Sequence, residues 1–364
     1  MKLGFFSPLP PASTGVADYS ARLLAELRRF VRIEAGAPGD VALYHIGNNQ
    51  LHRAIYARAL ERPGVTVLHD AVLQHFFLGS LERGAYVEEF IFNYGEWSRD
   101  FAADLWLQRA RSAADPRYFE FPMLRRIAER SRAVIVHNPA AARMVARHAP
   151  GATIHEIPHL FDAPPLPSLI ETLRFRKELG LKPRTLVAGV FGHLRESKRL
   201  PVVLRAMRRV WNAGGDAVLL VAGEFASKDL ERSVDSLLHD PRILRVPHLP
   251  ERDFWRFAAI TDVCVNLRYP SAGETSGILV RMMGIGKAVV CTEGEEIARI
   301  PENACLRIDS GTAEEEMLAE TIRWLAGDRG AAEEIGARAA RHIASEHAVE
   351  KIARRYWEVC SSAV

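Results

Sequence analysis

Short apolar runs alternate with longer stretches of helical period along most of the chain, the pattern of parallel sheets joined by crossover helices. Lys2–Phe6 predicts a first strand. Val16–Phe30 follows with apolar residues at 16, 19, 23, 24, 27 and 30, close to a 3.6-residue period. Val41–Ile46 and Val65–Leu68 predict further strands, with a helix over Gln50–Leu60 between them. Val134–Val136 predicts another, followed by a helix that Pro139 can start, and Thr153–Ile157 closes this half. The alternation breaks over Leu73–Arg132, which is helical in period and dense in aromatics, among them Phe76, Phe77, Tyr86, Phe90, Trp97, Trp106 and Tyr118. The pattern predicts that most of these form the core of a helical insertion. An acceptor-binding or membrane-facing surface is the sharper alternative.

Phe161–Ser168 carries three prolines within four residues, which suit neither a helix nor a central strand, so it reads as a linker. The alternation then restarts, with strands predicted at Leu186–Phe191, Ala217–Ala222, Ile243–Val246, Val263–Leu267 and Ala288–Cys291. Helices are predicted over Pro201–Trp211, Asp229–Leu238, Glu251–Ile260 and Ser276–Ile285, with a final set from Ala313 to Ser361. The fold class is therefore α/β, with two Rossmann-like domains over residues 1–163 and 164–364 and a helical insertion at about 73–132. The last helix is a candidate to pack back on the first domain. Ligands of such sheets bind at the carboxyl ends of the strands, and a central cleft is the expected site.

Composition narrows the class. Hydrophobic residues at 48% and charged residues at 26% are ordinary for a globular chain, and a net charge of +3 gives no general attraction for nucleic acid. Cys264, Cys291, Cys305 and Cys360 show no metal-ligand spacing, and Cys264 and Cys291 sit inside apolar runs where a thiol behaves as a small hydrophobe. The start, MKLGFFSPLPP, lacks the apolar core of a signal peptide, and no apolar stretch approaches the roughly 20 residues needed to span a bilayer. A cytoplasmic location is expected, with peripheral membrane contact left open.

Two stretches carry candidate chemistry. In DVCVNLRYPSAGETSGILVRMMGIGKAVV (262–290) a strand ends, a loop follows, and a helix begins near Ser276. Glu274, the hydroxyls of Thr275 and Ser276 and the amides of Thr275–Gly277 thus fall at a helix N-terminus, which favours phosphate. A plain helix cap explains the same letters equally well. In LVAGVFGHLRESKRL (186–200) a strand ends at Gly192, and His193, Arg195, Lys198 and Arg199 follow within seven residues. Such a cluster suits a diphosphate, or else forms a solvated basic turn.

Together these stretches resemble glycosyltransferase family 4, a large family of retaining GT-B enzymes. In that family a Gly-Arg pair and a Lys five residues after the Arg hold the donor diphosphate. Gly192 and Lys198 match, while His193 stands in place of the Arg, with Arg195 a candidate to supply the charge. The family also carries a Glu, seven residues and a second Glu. ETSG at Glu274–Gly277 resembles the first part and MMGIGKAVV at Met282–Val290 the end, but Arg281 occupies the place of the second Glu, which holds the ribose. Gly15 lies in a segment like the loop that closes over the donor. His69, beside Asp70, resembles the family His next to the transferred sugar. Ile157-Pro-His159 resembles the turn before the interdomain linker, and Val246-Pro-His248-Leu249 the segment packing on the base.

The resemblance implies an acceptor-side first domain and a nucleotide-sugar-binding second domain. It implies sugar transfer with retention from a nucleotide diphosphate-sugar to a saccharide or lipid-linked acceptor in glycan biosynthesis. His69 and Glu274 are the expected catalytic pair, and no cofactor is expected. His155-Glu-Ile-Pro-His159 matches a zinc pattern by letter, but Pro158 and a strand-like context deny it the helix that would bring both rings to one face. No Asp-x-Asp pair occurs either, so the diphosphate charge falls to side-chain cations and helix N-termini, with no metal. Alternatives are a GT-B sugar-nucleotide epimerase and an inactive sugar-nucleotide-binding homologue, the latter suggested by His193 and Arg281.

Overall fold

The computed structural model describes every residue except Ser13 and His248. Among the described residues the first domain is built on six parallel strands: β1 (Lys2–Phe6), β2 (Arg32–Ala35), β3 (Val41–Ile46), β4 (Val65–Leu68), β5 (Ala133–Val136) and β6 (Ile154–Glu156). Their spatial order is β2-β1-β3-β4-β5-β6. Every residue of β3, β4 and β5 is buried, as expected of parallel strands covered on both faces. The edge strand β2 was not legible in the pattern, because RIEA is mostly exposed and pairs only with β1.

Helices α1 (Gly15–Leu27) and α2 (Arg53–Glu61) cross between the early strands. Between β4 and β5 the chain folds into α3 (Gln74–Ser80), α4 (Arg83–Tyr94), α5 (Arg99–Gln108), α6 (Arg117–Glu120) and α7 (Arg125–Arg130). Phe76, Phe77, Tyr86, Phe90, Trp106 and Tyr118 from this stretch share one buried cluster with Tyr44 and Val134 of the sheet. Most of its aromatics are therefore core, whereas Trp97 stays 70% exposed. Helix α8 (Pro139–His148), capped by the Asn138 side chain, joins β5 to β6. The HExxH letters fall on β6 and the turn after it, where the two rings share no helical face.

Residues 161–168 lead to α9 (Leu169–Glu178), which opens with a capping box between Ser168 and Glu171. The second sheet comprises β7 (Leu186–Phe191), β8 (Ala217–Ala222), β9 (Ile243–Val246), β10 (Val263–Asn266), β11 (Ala288–Thr292) and β12 (Leu306–Ile308), in the order β12-β11-β10-β7-β8-β9. Its helices are α10 (Leu200–Asn212), α11 (Lys228–Leu238), α12 (Glu251–Ile260), α13 (Gly277–Gly284), α14 (Glu314–Gly327) and α15 (Arg329–Glu346). Helix α16 (Val349–Ser362) then returns to the first domain. Its Ile352, Ala353 and Tyr356 are buried among Leu3, Leu23 and Leu43, and the Tyr356 hydroxyl lies 2.8 Å from that of Tyr19 on α1.

The whole is the two-domain GT-B arrangement, with the strand ends of both sheets turned to a shared cleft. All four cysteines are free and buried. Among the described residues no helix is long and apolar enough to cross a membrane.

Candidate functional site in the interdomain cleft

Strand β7 delivers the chain to Gly192, whose φ of +80° lies in the left-handed region. A Cβ built there would stand 3.3 Å from the Lys198 ammonium, so the turn needs glycine twice over. Lys198 is buried and donates to the Phe191 carbonyl. Burial, with Arg268 nearby, holds its pKa well below the ordinary 10.5. His193 and Arg195 stay solvent-exposed on the same turn. Arg199 swings the other way and grips Glu314 through two hydrogen bonds of 2.9 and 2.6 Å. The basic run thus divides: one cation turned in, one at the rim, one holding the fold.

The end of β10 contributes a further cation, outside the basic run that follows Gly192. Arg268 is only 21% exposed and lies 3.5 Å from Glu274, with its Nη2 3.4 Å from the Ser276 hydroxyl. Its Nε is buried without a hydrogen-bond partner among the described residues. That N–H faces the Glu274 carboxylate across 3.5 Å without a hydrogen bond, so an acceptor entering the site could take one from it. The signal was present as VNLR: a cation placed directly after an apolar strand, at the ligand-binding end of the sheet.

Glu274, from the loop before α13, accepts from the Ala272 amide at 2.8 Å. Its carboxyl is pushed up first by burial and further by the charge of Asp70, with Arg268 opposing. Ser276 caps α13: its hydroxyl accepts from the Leu279 amide and donates to Asn266. The Thr275 hydroxyl accepts from Asn138 at 2.9 Å. Both hydroxyls are therefore engaged within the protein, and the backbone amides of Thr275–Gly277 are what this helix start offers to an anion.

Across the cleft, the loop 270–275 docks directly on the first domain. The Ala71 amide donates to the Ala272 carbonyl at 2.8 Å, and a Cβ at Gly273 would come 2.9 Å from Ala71. That contact brings His69 and Asp70, at the end of β4, to the site. His69 shares a 2.9 Å hydrogen bond with His45, and burial lowers its pKa well below 6.5. Asp70 accepts from the Asn48 amide at 2.7 Å and faces Arg195 and Arg268; burial raises its carboxyl. On the hinge side of Glu274 a cavity of about 420 Å³ opens between His137 and Asn138 of the first domain and Arg268, Glu274 and Ser276 of the second.

Other anticipated residues lie further out. Arg281 pairs with Glu251 on α12, and its guanidinium stacks 4.2 Å over Phe254 and 4.5 Å over Trp255. Glu251 also meets Arg22 on α1 at 3.1 Å, so this cluster ties the two domains together. Gly15, the first residue of α1, is exposed and faces open space. Val246 ends β9, half-buried. His248 lies outside the described residues. Among the described residues no group of three His, Cys, Asp or Glu is placed to hold a metal ion.

Residues 183–328 match the family described as Glycosyl transferases group 1, a span that contains β7, Lys198, Arg268, Glu274 and α13. That domain and the fold together define the class, a glycosyltransferase of GT-B architecture. Among solved structures, sucrose-phosphate synthase of Thermosynechococcus elongatus is similar with a TM-score of 0.73 at 14% identity, over 100% of this chain and 98% of that one. HepE of Anabaena, solved with UDP and glucose, is similar with a TM-score of 0.66 at 16% identity over 100% of both chains. WaaG, a glycosyltransferase involved in lipopolysaccharide biosynthesis, gives 0.65 at 12% identity over 98% of this chain and 99% of that one. No curated protein matches the chain in sequence.

Proposed function

We propose that the chain is a retaining glycosyltransferase that moves a sugar from a nucleoside diphosphate-sugar to a saccharide or lipid-linked acceptor, without a metal and in the cytoplasm. The observation that carries this reading is the convergence of Lys198 and Arg268 beside the start of α13, with Glu274 at their edge and His69 and Asp70 opposite. Transfer breaks the bond between anomeric carbon and phosphate, so negative charge grows on the leaving diphosphate. Lys198, Arg268 and the amides of Thr275–Gly277 would neutralise it, with Arg195 closing from the rim. Glu274 would hold hydroxyls of the transferred sugar, with His69 and Asp70 contacting it from the first domain. Val246 and the 248 position would flank the base, and Gly15 leaves room for the donor to enter. Retention is taken from the family resemblance. HepE, solved with UDP-glucose, makes uridine diphosphate-sugars the first donors to try.

Lys198→Ala should cut turnover by about 10²-fold or more, the loss typical of one preorganised charge partner. A folded Lys198→Ala protein with wild-type turnover would refute the clamp. One observation favours a second reading: Asp70 and Glu274, two raised carboxyls within each other's field, suit the acid/base pair of a sugar-nucleotide epimerase. Incubating the enzyme with nucleotide-sugars and resolving products by NMR separates the two. Release of nucleoside diphosphate with an axial or equatorial linkage kept supports transfer with retention, and an epimerised donor supports the other.

A further inference from the structure

Exposed large apolar side chains are scattered singly over most of the molecule, but four fall within eight residues: Leu166, Leu169, Ile170 and Leu173. Their exposures are 46, 74, 71 and 54%. Leu169, Ile170 and Leu173 fall on one stripe of α9, and Leu166 precedes them at the end of the linker. Another face of α9 is docked on the fold. Phe175 packs edge-on against Phe257 with ring centroids 5.1 Å apart. Arg176 is buried against the Ile260 and Thr185 carbonyls, at 2.8 and 2.6 Å. The outward stripe is therefore not a core face that failed to dock; the docked face is the other one. Arg174 and Lys177 are exposed on the same helix and Lys182 and Arg184 in the loop that follows it, and none of the four joins a salt bridge among the described residues. Of the two acids on α9, Glu171 is tied into the helix cap by Ser168 and Glu178 is exposed at its last residue.

We propose that α9 and the end of the linker form a docking surface for an anionic lipid bilayer, with the leucine and isoleucine side chains entering the headgroup boundary. The charges choose this occupant over a second copy of the chain. A two-fold contact through the stripe would bring the same cations of both copies together, whereas acidic headgroups complement them. Through α12, on which α9 packs, the docked surface adjoins the helix whose Glu251 borders the cleft.

The test is co-sedimentation of the full chain with vesicles of phosphatidylcholine alone or mixed with phosphatidylglycerol, read without donor or acceptor and so independent of the transferase reading. The wild type should bind the mixed vesicles, and binding should weaken as salt rises. A Leu169→Ser, Ile170→Ser, Leu173→Ser variant should lower the partition coefficient about tenfold or more. Arg174→Glu with Lys177→Glu should do so at low salt, since each cation near an acidic surface is worth roughly fivefold. These residues are exposed, so both variants should keep the wild-type melting temperature. Failure of the wild type to bind mixed vesicles, or equal binding by both variants, overturns the proposal. So does a wild-type dimer that the triple-serine variant dissolves while neither binds vesicles, because the stripe is then a contact between copies.

Discussion

Acidification should destabilise this protein at a mild pH, and the buried histidines set the size of the effect. His137, at the end of β5, is 6% exposed, and its Nδ1 lies 2.9 Å from the Ile157 carbonyl oxygen. His347, where the chain turns into α16, is 8% exposed, with its Nδ1 against the His159 carbonyl. Burial lowers both from 6.5 to about 4. The folded state therefore keeps them neutral while the unfolded chain takes up protons near pH 6.5. Their stability contribution is intact above about pH 7, is lost as pH falls through 6.5, and levels off near 4. Between pH 7 and pH 5 each costs about 2 kcal/mol, so the pair removes about 4 kcal/mol. His45 and His69, pushed the same way by burial, steepen the fall. Asp70, Glu89 and Glu274, whose carboxyls burial raises, oppose it. Against a total stability of about 5–15 kcal/mol this is a large loss. Urea unfolding at pH 7, 6 and 5 measures it directly. A His137→Gln, His347→Gln variant should show a shallower slope. A loss below about 1 kcal/mol over this range, or an unchanged slope in the variant, would refute the assignment.

Three further outcomes follow from the cleft. Lys198 is pushed below its ordinary pKa by burial, and a diphosphate beside it would shift it back toward the ammonium, so donor binding should be linked to proton uptake over whatever pH range the free Lys198 titrates in. Calorimetry of nucleoside diphosphate binding in buffers of different ionisation enthalpy reads this, and a buffer-independent heat would contradict it. Arg281→Glu should weaken nucleoside diphosphate binding and lower stability by about 1–3 kcal/mol, since it sets two carboxylates together and removes the stacking on Phe254 and Trp255. Tighter binding would instead give this position the ribose-holding role. Activity should survive EDTA; complete loss reversed by Mn²⁺ would move the diphosphate charge from side chains to a metal.

The sequence displayed the strands that are buried on both faces, because VALYHI or LVAGVF leaves little else to be. It hid β2 and β12, four- and three-residue edge strands with charged letters in them, and α9, whose outward apolar stripe and proline-rich approach disguise its boundary. At the site, motif spacing drew attention to Lys198 and Glu274, but spacing alone could not divide one basic run into an inward Lys198, a rim Arg195 and a structural Arg199. Arg268 and the partnership of Arg281 with Glu251 depend on strand order and on the approach of α12 to α13, which are long-range facts. Asp70 was visible beside His69, yet its neighbours Arg195 and Arg268 come from the other domain.

The return of α16 to the first domain means that the chain crosses between its two halves twice, once on the way out and once on the way back. Cutting the 161–168 connection would therefore not liberate two independent pieces. A fragment ending there would lack Ile352, Ala353 and Tyr356 and would leave Leu3, Leu23 and Leu43 open to water. Two crossings also restrict how the halves can swing, because a body tethered at two points turns about the line joining them more readily than about any other. Helix α16 belongs to the core of the first domain although it follows the whole of the second domain in the sequence. The first domain thus completes its core only after the second has been made.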